Sequence, residues 1–86
     1  MTMTTWRKEL DAAFQITGDS FVGLSITLSP DELDAEFDDG YGSVKGKPFT
    51  AWSERFVYFP AQYDGAEWVS WVSRNPDGRP TEHIGG

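Results

Sequence analysis

An antiparallel β-hairpin is predicted by residues 49–73, FTAWSERFVYFPAQYDGAEWVSWVS. The first strand covers residues 49–59, where β-branched and aromatic residues, which favour strands, are dense. Pro60 ends this strand, because proline cannot donate to a sheet ladder. The tripeptide Tyr63-Asp64-Gly65 is typical of a tight reversal between two strands. The second strand then covers residues 67–73.

The hairpin carries more aromatic side chains than one face of a sheet can bury. Eight of the chain's thirteen Phe, Trp and Tyr residues lie between Phe49 and Trp71. Because side chains alternate between the two faces of a strand, both faces receive some of them. One face is predicted to carry Trp52, Phe56 and Tyr58, and the other Phe49, Val57 and Phe59. Either a helix and the C-terminal tail cover the second face, or that face is exposed and binds a partner.

An N-terminal helix is predicted over residues 5–15, where Trp6, Leu10 and Phe14 repeat every four residues behind a capping threonine. Strict alternation of apolar and small polar residues over 21–28 predicts a strand with one face on the core. With the hairpin, these elements predict a small α+β domain. Its N-terminal helix packs on a small antiparallel three-stranded sheet.

A short acidic helix is predicted between strands 1 and 2. Ser29 and Glu32, with a proline between them at the first helical position, form the pattern of a capping box. Leu33 and Phe37 lie four apart and continue the helix to Asp38. The acidic residues of this segment are called the acidic block, and they are Asp31, Glu32, Asp34, Glu36, Asp38 and Asp39.

The acidic block accounts for nearly all of the net charge. The chain has 14 Asp and Glu against 7 Lys and Arg, a net charge of −7, of which the block contributes six negative charges. Its last acids would oppose the dipole of the predicted helix at a cost of about 0.3–1 kcal/mol, so local stability does not explain them. An anionic surface repels phosphate and attracts basic proteins. We therefore predict that the block binds a protein partner with a basic surface and does not bind nucleic acid directly. Tyr41, on the Gly-rich turn that follows, is a predicted anchor.

The length of 86 residues predicts one domain over residues 1–86, with residues 75–86 as an extended surface tail. The chain has no cysteine, which favours a reducing, intracellular location and excludes disulfides and thiolate metal sites. It also has no run of 18 apolar residues and no signal-peptide core. The expectation is a cytoplasmic protein that does not contact membranes.

Patterns for catalysis or cofactor binding are incomplete. His83, the only histidine, cannot build a triad or a multi-histidine metal site within one chain. Three alternate acids from Asp34 have the spacing of a calcium loop, but Asp39 and Lys45 occupy positions that require glycine and a bidentate acid. Residues 40–42 lack the further glycine and lysine of a phosphate-binding loop. The sequence thus predicts a non-enzymatic protein with no catalytic residue, no metal and no cofactor.

A short single domain without cysteine, the segment DELDAEFDD at residues 31–39 and the lack of a catalytic set resemble one class of protein. These are the small acidic inhibitors that phages use against bacterial defence, notably anti-CRISPR and anti-restriction proteins, and the likeness is one of overall character. It implies a nucleic-acid mimic in the bacterial host cell that occupies a basic nucleic-acid site on a protein such as a CRISPR effector subunit. Two alternatives stay open: an immunity protein against a basic nuclease toxin, and a small adaptor that uses its aromatic hairpin face.

Overall fold

The computed structural model of the protein describes residues 3–38 and 45–84. Within these residues the elements are β1 (Met3–Thr4), α1 (Trp6–Thr17), β2 (Ser25–Ile26), α2 (Pro30–Asp34), β3 (Phe37–Asp38), β4 (Ala51–Trp52), β5 (Phe56–Tyr63) and β6 (Ala66–Ser73). The predicted α+β class, with an N-terminal helix and antiparallel sheet, is confirmed. The prediction of one three-stranded sheet is wrong, because β1 pairs with β3 alone and the other strands form a four-stranded sheet in the order β2-β4-β5-β6.

The helix α1 matches its prediction closely and runs two residues further. The Thr5 hydroxyl caps it by accepting a hydrogen bond from a backbone N–H of the first turn. Gly18 ends it in the left-handed conformation, with φ of 83°. Trp6, Leu10 and Phe14 are all buried, so the predicted apolar stripe is the helix's core-facing side.

The strand predicted over residues 21–28 is wrong for most of its length. Only Ser25–Ile26 is a strand. Gly23 has φ of 74°, a left-handed conformation that turns the chain instead of extending it. Val22, which the alternation places inward, is 91% exposed. Apolar and small polar residues do alternate here, but the left-handed conformation of Gly23 breaks the strand.

The first hairpin strand, predicted over residues 49–59, is two strands joined by a turn. The Ser53 hydroxyl accepts hydrogen bonds from the N–H groups of Arg55 and Phe56 at 3.2 and 2.9 Å, which satisfies the backbone locally and favours a turn. The turn resets the alternation, so Trp52 pairs with Val57 and lies on its side of the sheet. The prediction had placed Trp52 on the opposite side, with Phe56.

Pro60 lies inside β5, although it was predicted to end the strand. The register pairs it with Val69 of β6. Arg74 N–H donates to the Arg55 carbonyl at 2.8 Å, so odd-numbered residues of β5 bond to β6 and even-numbered ones face β4. Among described residues, β4 pairs with β5 only as far as Tyr58. The Pro60 nitrogen therefore faces an open edge, where a missing N–H costs no ladder bond.

The reversal between β5 and β6 is confirmed as a two-residue turn. Asp64 and Gly65 have φ of 51° and 88°, the primed geometry that suits the twist of a hairpin. Tyr63 pairs with Ala66 beside the turn, and the pairing continues through all eight residues of each strand.

The helix α2 begins as predicted but ends at Asp34, four residues early. The capping box is present, with Ser29 and Glu32 each accepting the other's backbone N–H through the side chain. The helix does not continue because Phe37 lies in β3 and packs against Trp6, with ring centroids 4.7 Å apart. Burial of this ring outweighs the local helical spacing.

The strands β5 and β6 have two different faces. The front face packs against α1; Phe14 meets Tyr58 edge-on at a centroid distance of 5.2 Å, and Val69 and Trp71 lie beside them. The back face carries the residues of opposite parity and Trp52, and none of them belongs to the core cluster or packs against it. The back-face residues are Trp52, Val57, Phe59, Ala61, Tyr63, Ala66, Trp68, Ser70 and Val72.

Candidate interaction surface

The acidic block spans α2, the link that follows and β3. The described members are Asp31, Glu32, Asp34, Glu36 and Asp38. Asp39 and the predicted anchor Tyr41 lie outside the described residues. The dipole argument for a binding role is wrong, because α2 ends at Asp34 and Asp38 lies on a strand.

Glu32 has two roles at once. Its carboxylate accepts the Ser29 N–H at 2.8 Å in the capping box and forms an ion pair with the Lys47 ammonium. The hydrogen bond from Lys47, followed by that from the Ser29 backbone, lowers the pKa of Glu32. This carboxylate is thus committed to holding α2 against the segment before β4.

Asp34 is held by Arg7 of α1. The Arg7 Nε and Nη2 atoms donate to the two carboxylate oxygens at 2.5 and 3.3 Å, a bidentate arrangement. Hydrogen bonding to Arg7 lowers the pKa of Asp34. The Arg7 guanidinium also lies over the Phe21 ring at 5.3 Å, so one side chain links α1, α2 and the turn before β2.

The remaining acids differ in how much they face solvent. Asp31 and Glu36 are exposed, and no ion pair or hydrogen bond to another described residue involves either carboxylate. Asp38 is half-buried on β3. Lys45 and Lys47 border the same shallow cleft as Glu36, beside Trp6. The surface is therefore less negative than the sequence count indicated, and its freest carboxylates are Asp31 and Glu36.

A buried carboxylate that the sequence analysis did not identify fixes the backbone beside the acidic block. Glu67 on β6 is 4% exposed and accepts the backbone N–H groups of Lys45 and Gly46 at 2.7 and 3.0 Å. Trp6 donates its indole N–H to the Lys47 carbonyl at 3.0 Å. A Cβ on Gly46 would lie 2.5 Å from the Trp6 ring, so only glycine fits. These contacts fix the backbone that places Lys47 beside Glu32, and their sequence separations of 21, 22 and 41 residues leave no local signal.

A second polar cluster joins the end of α1 to the sheet. The buried Tyr58 hydroxyl donates to Asp19 at 2.5 Å and lies 2.8 Å from the Thr17 hydroxyl. Arg55 donates to the Thr17 carbonyl and to Asp19. Burial, and then the hydrogen bond to Asp19, raises the pKa of Tyr58 to about 12. The side-chain bonds to Tyr58, Ser53 and Arg55 outweigh the opposing effect of burial and lower the pKa of Asp19. These hydrogen bonds anchor the end of α1 to the sheet.

The back face is the second surface with the character of a binding site. Its nine side chains carry no formal charge, and Trp52 and Tyr63 are 37% and 54% exposed. Ala61 and Ser70 of this face are buried, and residues 74–81, which form neither helix nor strand, line a cleft with Val72. Contiguous apolar surface of this kind is uncommon on proteins that bind nothing.

Neither a metal cluster nor a membrane helix is found in the described part of the chain. No three or more His, Cys, Asp and Glu side chains in residues 3–38 and 45–84 are placed to hold a metal ion, and His83 is exposed. No helix in those ranges has the length and apolar character needed to cross a bilayer. No protein-family model, curated protein or solved structure matches the chain.

Proposed function

We propose that the protein is a non-catalytic inhibitor that binds, through the acidic block, a basic nucleic-acid-binding site on a protein of a CRISPR or related defence complex. The observation that carries the proposal is the exposure of Asp31 and Glu36 on a segment whose Glu32 and Asp34 carboxylates are held in ion pairs. The capping box and the ion pairs to Lys47 and Arg7 hold that segment in place. Carboxylates on a fixed backbone lose little conformational entropy when a partner binds them.

The chemistry of such binding is electrostatic. A site lined with lysine and arginine binds phosphate oxygens, and carboxylate oxygens accept the same hydrogen bonds. The bidentate contact of Arg7 with Asp34 shows the geometry in which an arginine of a partner would bind the free carboxylate of Asp31 or Glu36. A basic partner would be attracted over a distance of about one Debye length, ~8 Å at physiological salt.

The test neutralises the two exposed carboxylates. This chain is immobilised and exposed to nuclease-treated lysate of a bacterium that carries defence systems. The partner protein that it captures is then identified and purified. Asp31→Asn with Glu36→Gln is expected to weaken its binding at least tenfold, and a DNA or RNA oligonucleotide is expected to compete with the wild type. Higher salt is expected to slow association, because charges at the rim of an interface act mainly on the association rate.

The matched control removes the same charge elsewhere. Glu54→Gln with Glu82→Gln alters two exposed acids outside the acidic block and is expected to bind as the wild type does. Equal binding by both double variants, together with no competition by nucleic acid, would contradict the proposal. A nuclease toxin as the captured protein would favour an immunity protein over an inhibitor of defence.

The uncharged back face favours a second candidate function, that of a small adaptor. In that case a partner would bind Trp52, Phe59 and Trp68 through apolar contact, and neutralising Asp31 and Glu36 would leave binding unchanged. Phe59→Lys would abolish it. The two functions therefore give opposite results with the same two sets of variants.

A further inference from the structure

A cleft lies at the end of the hairpin where β5 begins and β6 ends, and is called the hairpin-end cleft. It encloses about 600 Å³, and its walls are Phe56 on β5 and residues 71–81. This volume lies within the range of small-molecule binding sites, about 300–1,000 Å³. Residues 73–81 are exposed and Phe56 and Trp71 are half-buried, so the walls are open to a ligand.

Hydrogen bonds hold the segment that follows β6 along this cleft. The Arg74 N–H donates to the Arg55 carbonyl at 2.8 Å, which extends the pairing of β5 with β6 by one residue. The Asp77 carboxylate accepts the Arg79 N–H at 3.0 Å, a local bond that favours a turn. Gly78, inside this turn, has φ of 78°. The segment therefore follows a defined path, although it is neither helix nor strand.

Two arginines on the walls of the hairpin-end cleft have no carboxylate partner. None of the three ion pairs found among the described residues involves Arg74 or Arg79. The Arg74 guanidinium donates to the Ser53 carbonyl at 3.0 Å, and the Arg79 guanidinium donates to no described residue. Asp77 is the one acid on these walls, against the two arginines. The cleft is therefore positive in a chain whose net charge is −7.

The same cleft has aromatic walls. Phe56 and Trp71 lie on the front face, with ring centroids 6.3 and 6.2 Å from that of Tyr58. The Arg55 guanidinium lies over the Phe56 ring, 5.2 Å from its centroid, so one side of this ring is already covered. No described cation lies over the larger ring of Trp71, which is therefore the ring on which a flat ligand would stack.

We infer that the hairpin-end cleft binds a nucleoside monophosphate. Arg74 and Arg79 bind the phosphate, because guanidinium groups donate paired hydrogen bonds to phosphate oxygens. The base stacks on Trp71, a contact that any base can make through its flat face. The hydroxyl of Ser73 and the amide of Asn75, also on the walls, supply hydrogen bonds to the base or the ribose.

A single nucleotide fits this cleft better than other anions do. An inorganic anion would contact the arginines and leave Trp71 unused. A nucleic-acid strand brings a run of phosphates, which a chain of net charge −7 repels. An acidic peptide carries its charges on separate flexible side chains, and ordering them costs free energy that a rigid base does not cost. A nucleotide joins one flat ring and one compact anion, which match the two parts of the cleft.

Titration with adenosine monophosphate, followed by NMR, tests the inference. The indole N–H of Trp71 and the backbone N–H groups of Asn75 and Arg79 are expected to shift as the nucleotide is added. The indole signals of Trp52 and Trp68, which lie on the back face, are internal controls and are expected to stay in place. Adenosine, which lacks the phosphate, and inorganic phosphate, which lacks the ring, are each expected to bind at least tenfold more weakly.

Removal of one guanidinium tests the charged part of the cleft. Arg79→Gln is expected to weaken the binding of adenosine monophosphate at least tenfold and to leave thermal stability unchanged, since Arg79 is exposed. Lys8→Gln is the matched control, because Lys8 is also exposed and its ammonium group has no partner among the described residues. It is expected to bind as the wild type does. Asp31→Asn with Glu36→Gln, the test of the proposed function, is expected to bind the nucleotide no more weakly than the wild type, so the two proposals fail separately.

Four outcomes would overturn the inference. The first is no shift of the Trp71 indole signal at the highest nucleotide concentration tested. The second is inorganic phosphate that binds as tightly as the nucleotide, which would indicate an anion site that makes no use of the ring. The third is equal weakening by Arg79→Gln and Lys8→Gln, which would indicate a general effect of charge. The fourth is a short single-stranded oligonucleotide that binds more tightly than the nucleotide, which would make a nucleic-acid strand the ligand.

Discussion

The front and back faces of the hairpin have similar compositions and opposite environments. Tyr58 on the front face is fully buried against Phe14 and its hydroxyl is hydrogen-bonded. Its neighbour Phe59 on the back face is half-buried and contacts no part of the core cluster. Among the described elements, α1 packs on the front side of the sheet, and this accounts for the difference. An apolar side chain therefore stabilises this fold most on the side where α1 lies, and on the other side its exposed part is available to a partner.

The strongest test of this difference compares two adjacent aromatic residues. Tyr58→Ala is expected to lower the free energy of unfolding by about 3–5 kcal/mol, since it opens a cavity in the core and removes a hydrogen bond. Phe59→Ala is expected to cost less than about 2 kcal/mol, because its ring is only half-buried. Urea unfolding of the two variants measures both values. Equal losses would mean that the back face is covered as fully as the front.

A carboxylate on the front face should matter more than a tryptophan on the back. Glu67→Ala leaves the buried Gly46 N–H and the partly buried Lys45 N–H without an acceptor and is expected to cost about 2–4 kcal/mol. Trp68→Ala, at the next residue, removes a far larger side chain but is expected to lower the free energy of unfolding by only about 1–2 kcal/mol. Glu67→Gln keeps the volume and one oxygen and should lie between the wild type and Glu67→Ala. A larger loss for Trp68→Ala than for Glu67→Ala would reverse the comparison.

Alkaline pH tests the polar part of the front face. The pKa of Tyr58 is raised to about 12 when folded, against about 10 for a free tyrosine. Between these values the unfolded chain releases a proton that the folded chain keeps, so stability is unchanged below pH 10 and falls as the pH rises towards 12, by about 2–3 kcal/mol. Tyr58→Phe is expected to be less stable at neutral pH and to lack this contribution to the alkaline decrease. Urea unfolding at a series of pH values measures it, and parallel curves for the two proteins would contradict the assignment.

The smallest expected effect on stability comes from the ion pair between Arg7 on α1 and Asp34 on α2. Asp34→Asn removes the ion pair with Arg7 and is expected to cause a slight loss of stability at neutral pH, whereas Asp31→Asn, with no described partner, should cause none. Because the pKa of Asp34 is lowered in the folded state, its contribution is present above the ordinary aspartate pKa and is lost as the pH falls below it. Thermal unfolding of the two variants at neutral and acidic pH measures the difference. A greater loss for Asp31→Asn would show that the ion pair contributes nothing.

Local signals in the sequence were sufficient for three elements. The spacing of Trp6, Leu10 and Phe14 predicted α1, and the capping box at Ser29 predicted the start of α2. Asp64-Gly65 predicted the hairpin turn. In each case the physical cause is a hydrogen bond or a backbone preference that acts within about four residues, so that the sequence alone contains it.

The candidate surface was predictable in part. The position of the acidic block and its outward-facing Asp31 follow from the sequence, since charged side chains rarely lose their hydration. The partners of Glu32 and Asp34 do not, because Lys47 and Arg7 lie 15 and 27 residues away and meet them only in the folded chain. The burial of Phe37 likewise depends on distant contacts. It ends α2 before Asp38, so this acid does not oppose the dipole of a helix as the sequence had predicted.

The sequence by itself therefore determined the turn between β5 and β6, where α1 and α2 begin, and which segment carries the charge. Only the tertiary structure decided which apolar residues form the core, since Val22 and Trp52 belong to patterns that fit a core and still lie outside it. It also decided that Pro60 can lie within a strand. The physical reason is that burial depends on which elements pack on which side of the sheet, and this depends on contacts between residues far apart in the chain.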